Sequence, residues 1–310
     1  MANHEDSPSS PHNDSPEPLN SNCHTSSADP AGSPTAKTRI PAIALAARFL
    51  FHFDDQKSDD QPAWRTAAHW FIFWGVMIGL FYALAFRGGW RLFGEYNRLR
   101  LVPMVLILAI DLVWCGNRLL IGAVHLTSNR RAEGRNPSEP INTQAILLLV
   151  LVILLKYALL LSLPYGARRQ PLDWREQLGI FYPDVLYRPL ILMPIWGRWA
   201  MTMALVIGRI APASSNRLQQ MASGMTLSRL MLQWLGCSTL TVMYCCGAGE
   251  HLARGVFIVV GVMLAAYLVS FVLARRAGGQ TEATVCATGL AGELAFLLVY
   301  LPVATNIYGW

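Results

Sequence analysis

The chain is 310 residues long, 53% of them hydrophobic and only 14% charged. So little charge cannot cover the surface of a soluble protein of this size, which excludes a soluble enzyme built around an ordinary core. The net charge of +6 is almost entirely arginine, spread between apolar runs rather than gathered on one face. That spread excludes a nucleic-acid-binding surface and suits membrane edges and anionic lipid headgroups.

Residues 1 to about 38 are rich in Ser, Pro, Asn, Asp and His. They bury too little apolar area to offset the entropy of ordering, so the sequence predicts a disordered polar tail. The tail has no apolar central stretch and does not read as a signal peptide. Residues 39–66 read as a short amphipathic or interfacial segment followed by a linker. The apolar run Ile40 to Phe53 is too short for a span and suits a helix at the interface or packed under the bundle.

Residues 67–310 read as a transmembrane helical domain. Its predicted spans are Ala67–Phe86, Leu101–Val124, Gln144–Leu163, Leu190–Ile210, Leu230–Gly247, Gly255–Ala274 and Cys286–Thr305. Each is close to the ~20 residues that cross ~30 Å of hydrocarbon as a helix. The alternating pattern of a membrane β-barrel is absent, so helices must satisfy the backbone. The fold class is therefore all-α, a polytopic bundle of about seven spans. Arginine occurs in nearly every loop. With seven spans, Arg130, Arg131 and Arg135 share a side with Arg217, Arg229, Arg275 and Arg276, and the positive-inside rule assigns that side to the cytoplasm. The six cysteines lack paired spacing and receive no chemical role.

Four charges stand where charges are costly. Lys156, Arg198 and Glu293 lie within apolar helices, and Asp111 interrupts the second span. A charge at the centre of a span costs at least about 2.5–3.5 kcal/mol, so such groups face one another or a polar cavity. One reading is a set of ion pairs that fixes helix packing, for example Glu293 with Arg198 or Lys156. Four such charges in one bundle favour the other reading, a shared polar site. An excess of arginine and lysine there suits phosphate or another anion. The run Arg275-Arg276-Ala277-Gly278-Gly279-Gln280-Thr281 adds two glycines that let backbone approach a ligand. It also places Thr281 to cap the next helix or to donate to phosphate.

Four stretches, in order, resemble the cobalamin synthase family, the adenosylcobinamide-GDP ribazoletransferases. They are Phe73-Trp74-Gly75-Val76-Met77-Ile78-Gly79-Leu80, Leu154-Leu155-Lys156, Pro194-Ile195-Trp196-Gly197-Arg198-Trp199-Ala200-Met201, and Gly278-Gly279-Gln280-Thr281 followed by Gly292-Glu293-Leu294-Ala295-Phe296-Leu297-Leu298. Arg209 falls where the family has its Tyr-Ala-Arg. The resemblance covers roughly residues 65 to 305. Two features depart from it. The family's aspartate signature after the second hydrophobic segment is replaced by Ile110-Asp111-Leu112-Val113-Trp114-Cys115-Gly116-Asn117-Arg118. The Gly-Asp that closes its Gly-Gly-Gln-Thr motif is replaced by Glu282-Ala283.

The resemblance implies a phosphodiester exchange. A hydroxyl of α-ribazole attacks the cobinamide-linked phosphate of adenosylcobinamide-GDP, GMP leaves, and adenosylcobalamin forms. By the same resemblance Lys156, Arg198 and Arg209 neutralise the diphosphate, Glu293 orients a cation or a positive side chain, and Gly278, Gly279, Gln280 and Thr281 bind the nucleotide or phosphate end. It also implies Mg²⁺, for which Asp111 and Glu282 are the remaining carboxylate candidates. The implied partners are the lipid bilayer, corrinoid and nucleotide-type small molecules and other proteins of cobalamin assembly. The implied location is a bacterial cytoplasmic (inner) membrane, crossed several times. Loss of the aspartates keeps a second class open, an inactive relative that binds or scaffolds corrinoid or nucleotide intermediates. A transporter would carry inverted repeats or paired broken helices, and no such repeat stands out.

Overall fold

A computed structural model describes residues 40–51, 62–93, 101–113, 143–163, 186–212, 214–245 and 252–308. The tail expected over residues 1–38, together with Asn117, Arg118, Arg130, Arg131 and Arg135, lies outside the described residues. The described chain is helical, its one β-type contact being an isolated parallel bridge between Ile210 and Gln280. In order, the helices are α1 (Ala42–Phe51), α2 (Trp64–Ala67), α3 (Phe71–Phe93), α4 (Val102–Asp111), α5 (Thr143–Leu161), α6 (Tyr187–Ile207), α7 (Asn216–Gly224), α8 (Leu227–Cys245), α9 (Leu252–Arg276) and α10 (Glu282–Tyr308). A short 3₁₀ turn, Ala68–Trp70, joins α2 to α3.

Four of these segments are long and apolar enough to cross a membrane: Trp64–Phe93, Tyr187–Ile207, Leu252–Arg276 and Glu282–Val303. The other three expected spans coincide with α4, α5 and α8, and the one expected over Leu101–Val124 is described only as far as Val113. The outer faces are apolar. Phe257, Leu264, Leu268 and Phe271 of α9, Leu147 and Leu151 of α5 and Leu232 and Leu235 of α8 are all exposed. Exposed apolar faces this extensive belong against hydrocarbon, and the chain is a multi-pass membrane protein.

Helix α6 is the centre of the bundle. Eighty-nine per cent of its most apolar window is buried, against 28% for α9, and its main neighbours are α3 and α10. Both contacts are made close by glycine. On α3, a Cβ added at Gly79 would lie 2.5 Å from the Ile191 carbonyl oxygen, and one at Gly75 would lie 3.0 Å from Ile195 Cα. On α10, a Cβ at Gly289 would meet Met201 Cγ at 2.6 Å, and one at Gly292 would meet Ala200 Cβ at 2.7 Å. Apolar burial gives little drive for association between helices already in lipid, so small residues that admit backbone contact decide which helices pair. Trp196 of α6 donates from Nε1 to Thr241 Oγ1 of α8 at 2.9 Å, so its indole nitrogen is satisfied within the core.

The short segment α1 is packed under the bundle. Its Phe49 ring stacks on Phe71 at 5.5 Å, and Trp74 Nε1 donates to the Ile43 carbonyl at 3.1 Å. That contact lies at the start of α3, and the same end collects α7, the start of α8, the end of α9 and the start of α10. The short joints 225–226 and 277–281 require this, as does a hydrogen bond of 2.5 Å from Ser215 Oγ to Glu282 Oε1. Arg217, Arg229, Arg275 and Arg276 therefore share one end of the bundle.

Candidate functional site

The four costly charges meet. Asp111 ends α4, Lys156 lies on α5, Arg198 on α6 and Glu293 on α10, and the four side chains form one chain of contacts. Lys156 Nζ donates to Asp111 Oδ2 at 2.7 Å and to Glu293 Oε2 at 2.6 Å. Arg198 Nη1 donates to Glu293 Oε1 at 3.3 Å, and Tyr82 Oη of α3 donates to Asp111 Oδ1 at 2.5 Å. All four charged residues are buried, the most accessible being Asp111 at 5%. Room for Glu293 comes from Gly197, where a Cβ would stand 2.4 Å from Glu293 Cγ.

Two cations face two anions in this centre. The excess of positive charge anticipated from the sequence is not found there, because Asp111 and Glu293 take up the charge of Lys156 and Arg198. Each carboxylate oxygen accepts from at least one protein donor. Among the described residues its charges pair with one another, and what the arrangement can do chemically is hold α4, α5, α6 and α10 in one register, with α3 tied in through Tyr82.

The Gly-Gly-Gln-Thr segment forms a second, separate feature. Gly278 has φ 69° and Gly279 φ 145°, backbone that favours glycine, and together they turn α9 into α10. Gly279 also needs its missing side chain for space, since a Cβ there would lie 2.8 Å from Ala211 Cα. The backbone beyond pairs with the segment after α6. Gln280 N donates to the Arg209 carbonyl at 2.7 Å, and Ala211 N donates to the Gln280 carbonyl at 3.0 Å. Gln280 is fully buried, with Nε2 donating to Ser270 Oγ at 3.0 Å and Oε1 accepting from Thr284 Oγ1 at 2.6 Å. Thr281 caps α10: Thr284 N donates to Thr281 Oγ1 at 3.2 Å, and Thr281 N donates to Thr284 Oγ1 at 2.8 Å. This is the reciprocal logic of a capping box, with threonine at both positions.

The result is a basic ledge. The Arg209, Arg275 and Arg276 side chains are exposed around the turn, and Gly278 has open space where a side chain would stand. Arg217 Nε lies 3.8 Å from Glu282 Oε1, the same oxygen that accepts from Ser215.

The sequence-predicted site residues thus divide in two. Lys156, Arg198, Glu293 and Asp111 come together inside the bundle. Arg209, Gly278, Gly279, Gln280, Thr281 and Glu282 come together at one end. Glu282 and Glu293 are both on α10, eleven positions apart, or roughly 16 Å along the axis at 1.5 Å per residue. Asp111 belongs to the Glu293 group and Glu282 to the end group, so these two carboxylates do not converge on one ion. No group of three His, Cys, Asp or Glu side chains able to hold a metal occurs among the described residues. Because Lys156 Nζ already fills the space between Asp111 and Glu293, the described residues do not fit Mg²⁺ and no step is derived through it.

Sequence reasoning missed four contributors. Tyr82 lies in the first predicted span as an interfacial or packing aromatic, yet a tyrosine hydroxyl deep in an apolar helix needs an acceptor, and that requirement was the available signal. Gly197 reads only as part of a motif, and its function is space for Glu293. Ser270 and Thr284 carry no signal in the sequence, because their partner, the Gln280 side chain, is set by the turn.

The sequence model of a family described as cobalamin-5-phosphate synthase matches residues 141–301, a little over half of the chain. The chain therefore belongs to the cobalamin-5-phosphate synthase family. The matched stretch contains Lys156, the Gly197-Arg198 helix, the Gly-Gly-Gln-Thr turn and Glu293. It begins after the Asp111 region, where the family's aspartate signature is absent. No curated protein and no solved structure matches the chain.

Proposed function

We propose that this member of the family is a membrane transferase that joins adenosylcobinamide-GDP to α-ribazole, giving adenosylcobalamin and GMP. In that reaction the acceptor hydroxyl attacks the cobinamide-linked phosphorus, the bond to the bridging oxygen of the diphosphate breaks, and GMP leaves with that oxygen. The observation that carries this reading is the basic ledge. Two backbone hydrogen bonds tie Gln280 to Arg209 and Ala211, next to an exposed glycine with open space beside it. A diphosphate can approach such backbone closely and accept charge-assisted hydrogen bonds from guanidinium. Arg209 and the Gly278–Thr281 turn then hold the diphosphate and stabilise the charge that grows on departing GMP. Lys156, Arg198 and Glu293, buried and mutually neutralised, serve as positioning residues that fix α6 and α10, the helices from which the ledge extends.

The test is turnover by the full-length protein in detergent with adenosylcobinamide-GDP. The family's description names a 5-phosphate product, so the acceptor is supplied both as α-ribazole and as its 5′-phosphate. The expected result is release of GMP with matching formation of the cobalamin product. Absence of turnover beside an active family member under the same conditions sinks the proposal and leaves a binding or scaffold role. Parallel reactions with Mg²⁺ and with EDTA report on the Mg²⁺ that the family resemblance implies.

A further inference from the structure

We propose that the Lys156 ammonium is the resident cation of the buried centre, standing where a divalent ion would otherwise bridge Asp111 and Glu293. Three observations carry it. One nitrogen lies 2.7 Å from an oxygen of Asp111 and 2.6 Å from an oxygen of Glu293, carboxylates delivered by two different helices. The outer oxygens are also engaged, Asp111 Oδ1 by Tyr82 and Glu293 Oε1 by Arg198. The charges sum to zero, so a divalent ion added to the intact centre would leave two uncompensated positive charges in a site excluded from water.

Mg²⁺ makes the contrast sharper, because it demands about six oxygens at ~2.0–2.1 Å in near-octahedral order and gives up its water reluctantly. Among the described residues the centre offers two carboxylates, both already bound to nitrogen or hydroxyl donors. Lysine supplies the same bridging charge on a covalent stem. The helices are thereby closed without dependence on metal concentration. Replacing Lys156 with a small neutral residue changes the balance: two carboxylates converge on a gap with Arg198 the one cation left among the described residues, and the centre becomes a cation-binding site.

The inference is independent of the transferase reading, since its test reads metal occupancy and unfolding rather than turnover. Full-length protein in detergent is titrated with Mn²⁺ and followed by electron paramagnetic resonance, and its unfolding midpoint is taken in EDTA and in excess Mn²⁺. In the native chain, no Mn²⁺ site disappears on Asp111→Asn. Lys156→Ala lowers the midpoint in EDTA by about 10 °C. The same variant gains one Mn²⁺ per chain and recovers much of the loss when Mn²⁺ is added. Should Lys156→Ala fold only when produced with Mn²⁺, the inference is likewise supported. The double variant Asp111→Asn, Lys156→Met keeps the centre neutral through Glu293 and Arg198, and it is expected to fold in EDTA and ignore Mn²⁺. A native Mn²⁺ site that Asp111→Asn abolishes would overturn the inference. So would a folded Lys156→Ala that gains no Mn²⁺, or one that neither Mn²⁺ nor the second substitution recovers.

Discussion

Gly197 and Glu293 face each other across the contact between α6 and α10 so closely that a Cβ on Gly197 would stand 2.4 Å from Glu293 Cγ. The glycine is what allows a charged side chain to reach the middle of the bundle and meet Lys156 and Arg198. The neighbouring approaches at Gly289 and Gly292 lie on the same seam, so the space for Glu293 is shared by a run of close backbone contacts.

Gly197→Ala is therefore expected to force Glu293 aside and loosen its bonds to Lys156 and Arg198. Overpacking of a close-packed seam costs about 1–3 kcal/mol, and loss of ion-pair geometry adds to that. Thermal unfolding in detergent measures the effect. A midpoint equal to that of the native chain would show that the seam can open without cost.

The two glycines of the turn are not equivalent. Gly278 has φ 69° and open space, so Gly278→Ala is expected to cost only the ~1 kcal/mol of a left-handed alanine. Gly279 has φ 145° and no room, with Ala211 2.8 Å from the added Cβ. Gly279→Ala should break the pairing of Gln280 with Arg209 and Ala211, destabilise by more than its neighbour and lower turnover as well. Unfolding midpoints of the two variants, measured side by side, decide the order.

Arg209 separates binding from folding. Its side chain is exposed and makes no hydrogen bond or ion pair among the described residues, so Arg209→Ala should leave the unfolding midpoint unchanged. If it holds the diphosphate, kcat/KM falls about 10- to 100-fold, the worth of one charge-assisted hydrogen bond of ~1.5–3 kcal/mol. Arg209→Lys should restore part of that loss by charge alone. Unaltered kinetics in Arg209→Ala would remove the residue from the site.

Arg198 behaves oppositely. It is 1% exposed and bound to Glu293, so Arg198→Ala leaves a buried carboxylate with one cation fewer. Such a change is expected to cost about 3–5 kcal/mol. Turnover would then fall together with the unfolding midpoint. A loss of turnover at full stability would instead give Arg198 a direct part in the reaction.

The sequence by itself determined the environment and the cost of its exceptions. Apolar runs of about twenty residues, with arginine between them, mark membrane-crossing helices, because the bilayer accepts little else. Asp111, Lys156, Arg198 and Glu293 stand out for the same reason, and the order of four motif stretches, three of them holding Lys156, Arg198 and Glu293, carried the family resemblance. Only the tertiary structure decided which charges meet. Helical periodicity places a side chain on a face but does not say which helix that face touches. The contacts between α3, α6 and α10 follow from glycines that permit backbone approach, and the packing of α5 against α4 and α10 pairs Lys156 with both carboxylates. Glu282 stands roughly 16 Å along α10 from Glu293, because α10 runs unbroken through both. What reads in the sequence as one polar site is thus two, a buried ionic centre and an open basic ledge, because a charge inside a bilayer must find its partner before it can serve a ligand.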